Sequence, residues 1–192
     1  MLCYIARANI AWADPELARR VARMPGALAL LAATVAAGSA SASLSLQEAA
    51  INSSTILGCV VGAGPQLARR VAEVPGALAT LVAAIAAGGG AAAPTQPAPA
   101  TNSAHVLARI SKAGPELARQ VAHVPGTLAA LLAAMAMGIR VVTHRLQDLA
   151  SSSAEALAVM AKADPGLTRR VAEMPGALAT LVATVAAGSV SA

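Results

Sequence analysis

A 26-residue motif recurs four times at a spacing of 50 residues, and the copies align without a gap. They begin at Ala13, Ala63, Ala113 and Ala163; the first reads ADPELARRVARMPGALALLAATVAAG and the last ADPGLTRRVAEMPGALATLVATVAAG. Fourteen of the 26 positions are identical in all four copies. Duplication explains such identity, and self-similarity at a fixed period marks a fold built by stacking equivalent units.

Each copy predicts two helices joined at a Pro-Gly turn. The first opens at Pro15, Pro65, Pro115 or Pro165, since proline is tolerated at the first helical position. Asp14 and Asp164, just before it, are residues that cap free N–H groups. A Pro-Gly turn such as Pro25-Gly26 ends this helix. The second then places Leu28, Leu31, Ala32 and Val35 on one stripe, at the i, i+3, i+4, i+7 spacing of a buried helix face. Gly38, Gly88, Gly138 and Gly188 are expected to stop it. A third helix precedes each pair: Leu2–Trp12, Leu44–Gly62, Thr101–Lys112 and Val141–Lys162. The stretch 88–100, rich in Gly, Ala and Pro, reads as a flexible linker. The units fall at about 1–43, 44–93, 94–143 and 144–192.

Hydrophobic residues make up 57% of the chain, yet aromatics are limited to Trp12 and Tyr4. A core without aromatics must be made of Leu, Val, Ile, Met and Ala, and the small alanines let helices approach closely. One copy alone offers too little apolar surface to offset the entropy of ordering it, whereas stacked copies bury both faces.

Three helices per unit, with Pro-Gly before the second, resemble the armadillo repeat. The consensus L-A-R-R-V-A-x-x-P-G-A-L-A-x-L-V carries the resemblance, as does Arg7-Ala8-Asn9-Ile10-Ala11, similar to the end of a family third helix. The resemblance implies an all-α, right-handed superhelix, an armadillo/HEAT-like solenoid of about four 50-residue repeats in one domain. It also implies a concave groove lined by third helices, with Asn9, Trp12, Cys59, His105, Arg109 and Lys112 as candidate partner-binding residues. The period exceeds the family's usual repeat of about 40 residues, which implies a longer connection. The family's Asn positions hold Asn9, Cys59, Arg109 and Val159, and its Trp positions hold Ile5, Thr55, His105 and Glu155. The ladder that clamps nuclear-localisation peptides is therefore missing, and such peptides are not expected ligands.

The formal net charge is +5. Half of the lysines and arginines occupy one recurrent pair of positions in the first helix of each copy: Arg19, Arg20, Arg69, Arg70, Arg119, Arg169 and Arg170. Stacked at about 10 Å per unit, they would form a basic ladder able to hold an acidic peptide or a phosphate backbone, or simply a solvated face. No metal-ligand spacing involves His105, His123 or His144. Gly88-Gly89-Gly90 lacks the Lys-Ser or Lys-Thr of a phosphate loop, and no convergent titratable set suggests an enzyme or a cofactor. Two cysteines without a framework and the absence of a secretory signal suggest a cytoplasmic or nuclear protein.

A protein or peptide partner is the leading expectation, with nucleic acid second. A structural piece of a larger enzyme or complex with no separate activity is the third reading. A membrane-associated helical protein is a further alternative, because Met24–Leu46, Val74–Ala104 and Met174–Ala192 carry no charge; their apolar helices are too short for a span of about 20 residues. No polar cap closes either end of the array, so its ends are expected to self-associate or to continue into a longer one.

Overall fold

The computed structural model describes residues 15–39, 41–88, 98–140 and 144–189. These are all-helical, with no strand among them. The elements are α1 (Pro15–Arg23), α2 (Ala27–Ser39), α3 (Leu44–Gly62), α4 (Pro65–Glu73), α5 (Ala77–Gly88), α6 (Ala98–Lys112), α7 (Pro115–His123), α8 (Thr127–Arg140), α9 (His144–Ala163), α10 (Pro165–Glu173) and α11 (Ala177–Ser189). The order is short, medium, long, repeated along the chain. The candidate helix Leu2–Trp12 lies outside the described residues.

All four short helices begin at the motif proline. At α10, the Asp164 carboxylate accepts from the Gly166 N–H at 3.0 Å, satisfying one of the free donors of the first turn. Each short helix ends at a Pro-Gly corner whose glycine holds a positive φ, from 72° at Gly26 to 83° at Gly126. Glycine adopts that region without the penalty a Cβ would bring. The corners turn the first three short–medium pairs through 88–95°. Among the described residues, no single helix is long and apolar enough to cross a membrane.

The medium helices pack in sequence, α2 on α5, α5 on α8 and α8 on α11, and the long helices likewise, α3 on α6 and α6 on α9. Each medium helix also packs on the long helix that follows it in the chain and opens the next unit, as α2 does on α3 and α8 on α9. One continuous core runs between the two rows. The stripe Leu28, Leu31, Ala32 and Val35 is buried, as are Leu78, Leu81, Val82 and Ile85 in the next copy. Its alanines, among them Ala68, Ala104 and Ala118, are fully buried, so small side chains make up much of this aromatic-poor core.

Two expectations change. α5 ends at Gly88 as expected, but α2 runs past Gly38, and neither glycine holds a left-handed φ. A Cβ on Gly38 would collide with the Leu46 carbonyl oxygen, and one on Gly88 with the Ala100 methyl. These glycines let a long helix cross directly over the end of a medium one. Gly138 and Gly188 likewise lie inside their helices. The second change is at the linker, where α6 already begins at Ala98, with Pro99 in the first turn that tolerates it. Residues 89–97 of the linker lie outside the described residues.

Candidate functional site

The long helices share a 50-residue register, so Asn52, Asn102 and Ser152 are equivalent, as are Thr55, His105 and Glu155. All six are partly exposed. They form a polar face across α3, α6 and α9, opposite the apolar sides of the same helices. An open recess of about 610 Å³ lies on it, lined among others by Glu48, Asn52, Thr55, Thr101, Asn102 and Asp148. Asn102 ties α6 to α3: its side-chain amide donates to Thr55 Oγ1 at 3.0 Å, Ser54 Oγ at 3.2 Å and the Ile51 carbonyl at 3.4 Å. An ion pair between Lys112 and Glu155 ties α6 to α9.

Charge along this face is polarised. Glu48 and Asp148 lie near the helix N-termini, while Arg109, Lys112 and Lys162 lie near the C-termini. The bases, in the last turns, complement the helix dipole, whereas both acids lie just beyond the first turn. An extended ligand crossing the three helices would meet hydrogen-bonding groups in the middle, acids on one side and bases on the other.

The groove candidates fall in different places. Asn9 and Trp12 lie outside the described residues. Cys59 is buried, and burial pushes its thiol pKa up against a smaller opposing effect of Arg109; it is a packing residue rather than a contact surface. Arg109 is half-buried, donates from Nε to His105 Nε2 at 2.7 Å, and extends over Gly62, where a Cβ would overlap its Nη1. Burial, then the charge of Arg109, lowers the His105 pKa, with Lys112 adding to this and Glu155 opposing it. That keeps the ring neutral and able to accept from Arg109. Lys112 is exposed and paired with Glu155. His105, Arg109 and Lys112 thus share one face of α6.

The arginine rim is exposed, but its two positions face different neighbours. Arg119 donates to the Ala163 carbonyl at 3.4 Å, at the C-terminal end of the following copy's long helix, and pairs with Glu116 at 3.3 Å. Arg19 lines a recess with Ala63, and Arg69 one with Ala113, the equivalent carbonyl-bearing positions. The second position points backward: Gln120 donates to the Ala72 carbonyl of the preceding short helix at 3.4 Å. Arg70 lines a recess with Ala22 and Arg23. Arg19 pairs with Glu16 at 3.3 Å, and Arg169 with Glu173 at 2.9 Å. Arg20 and Arg170 are exposed on the same rim.

The residues that sequence reasoning missed are Asn52, Asn102 and Thr55. Their signal was available: asparagine recurs at equal register, 52 and 102, with a polar residue three positions on in both helices, Thr55 and His105. Among the described residues, no group of three or more His, Cys, Asp or Glu side chains could hold a metal ion. No protein-family model matches the chain, and no curated protein or solved structure is significantly similar to it.

Proposed function

We propose that the chain is an armadillo- or HEAT-like α-solenoid that serves as a protein-interaction scaffold, binding an extended peptide or a partner helix across α3, α6 and α9 in its concave groove. The supporting observation is the register-matched polar face around Asn52, Asn102 and Thr55, open over a recess of about 610 Å³ on a framework otherwise built from Ala, Leu and Val. Extended ligands gain affinity from main-chain hydrogen bonds, and amide and hydroxyl side chains at a regular spacing can supply them. The polarised flanks favour a ligand whose own charge changes sign across its width.

The nucleic-acid alternative draws less support. Arg119, at the first position of the pair, is engaged with a helix end and a carboxylate, which suits a role between copies better than a free phosphate ladder.

Panning a displayed library of random peptides on the folded chain tests the proposal. Enriched peptides should lose about 10-fold or more in affinity on Asn52→Ala or Thr101→Ala, and little on Arg70→Ala at the rim. Failure to enrich any peptide, or enriched peptides insensitive to the face variants, contradicts it.

A further inference from the structure

Positions that are buried between one copy and the next in the earlier copies are exposed on α10 and α11. Leu28, Leu78 and Leu128 are 7%, 6% and 8% exposed, but the equivalent Leu178 is 58% exposed. Ala32, Val82 and Leu132 are 5%, 5% and 7% exposed, but Val182 is 69% exposed. This face is the one directed at a following copy, since Val82 lies within 3.9 Å of where a Cβ on Gly126 would stand. Ala172 repeats the pattern: Ala72 and Ala122 are buried, and it is exposed. Beside these residues an apolar groove of about 240 Å³ runs between α9, α10 and α11, with Leu157, Val171 and Leu181 among its walls.

A complementary face lies at the other end. Gly126 looks back toward the preceding copy, and Ala130, one turn on, is 5% exposed. Its equivalent in the first copy is Leu30, at 61% exposure. The other copies carry Thr80, Ala130 and Thr180 at this position, so only the first copy places a large apolar side chain there.

We propose that α10 and α11 take the α1–α2 face of a second copy of this chain, so that molecules add head to tail in the geometry that already joins the copies within one molecule. The occupant is argued from continuity with that internal interface, which recurs between α2 and α5, α5 and α8, and α8 and α11. Polar contacts extend the match. Gln120 reaches back to the Ala72 carbonyl, so Arg20 of the incoming chain is placed to reach that of Ala172. Such an interface is heterologous and need not close, so association proceeds beyond a dimer. It is independent of what the long-helix face binds.

Sedimentation equilibrium over a concentration series tests this with two surface variants, Leu30→Glu and Val182→Glu, whose folding is checked by circular dichroism. The wild-type mass should climb above the 18.8 kDa of one chain without levelling at twice that value. Each variant alone should stay monomeric, because all its molecules lack one of the two required faces. A mixture of the two should form a 1:1 dimer and stop there, since one intact pair of faces remains. A wild type that stays monomeric throughout overturns the proposal. So does growth that persists in either variant alone, which would place association on another surface or on like faces, and so does a mixture that fails to pair.

Discussion

The third and fourth copies carry nearly the same motif, yet their side chains live in different environments. Leu128 and Leu132 are 8% and 7% exposed, whereas Leu178 and Val182 are 58% and 69% exposed. Val121 is fully buried, and Val171 only partly. Leucine stands at both 128 and 178, valine at both 121 and 171, and 132 and 182 are both branched aliphatics in equivalent helices, so the difference comes from the neighbour: α8 is covered by α11, and no equivalent helix covers α11 among the described residues. In such an array stability is a sum of nearest-neighbour interfaces rather than a property of each unit. The same residue is then core or surface according to its place in the stack.

The comparison is most easily broken with equivalent truncations. Leu128→Ala should cost about 2–5 kcal/mol, as for other buried leucines, while Leu178→Ala should stay within about 1 kcal/mol. Urea melts of the two variants measure the difference, and equal costs would show that the neighbour does not decide.

A smaller contrast concerns the glycines. Gly38→Ala pushes a methyl into the Leu46 carbonyl and should destabilise by about 1–3 kcal/mol. Gly114→Ala meets nothing within 4 Å in an extended backbone (φ 167°) and should change stability by less than about 1 kcal/mol. Thermal melts separate a glycine needed for close approach from one that is not.

The smallest effect is a pH dependence confined to one interior position of the long-helix row. His105 has a lowered pKa in the fold, so the unfolded chain binds more protons between that value and the ordinary value of about 6.5. Stability contributed by the neutral ring is present above pH of about 6.5 and is lost as the pH falls through that window. Melting temperatures of wild type and His105→Gln should diverge above pH of about 6.5 and converge on acidification. Parallel curves would remove this role.

Much of the architecture was legible in the sequence. Prolines and Pro-Gly corners set both ends of each short helix, and the bounds of α3 match the sequence reading, with Ser43 before an uninterrupted helical run that closes on Gly62. The start of α6 was not legible, since Ala98-Pro99-Ala100 has the composition of the linker before it. The role of Gly38 was also hidden: a glycine near a helix end reads as a stop, and only the crossing of α3 reveals the missing Cβ as a contact. At the candidate site, the placement of His105, Arg109 and Lys112 on one face followed from helical spacing. The burial of Cys59 and the two directions of the arginine pair did not, because each depends on the adjacent copy.

Native-state hydrogen exchange tests the nearest-neighbour account most directly, by comparing the backbone amides of equivalent helices. The account predicts slow exchange in α5, α6 and α8, which have neighbours on both sides, and markedly faster exchange in α10 and α11 under conditions where the chain is monomeric. Uniform protection across all copies, or slowest exchange in α11, would contradict it.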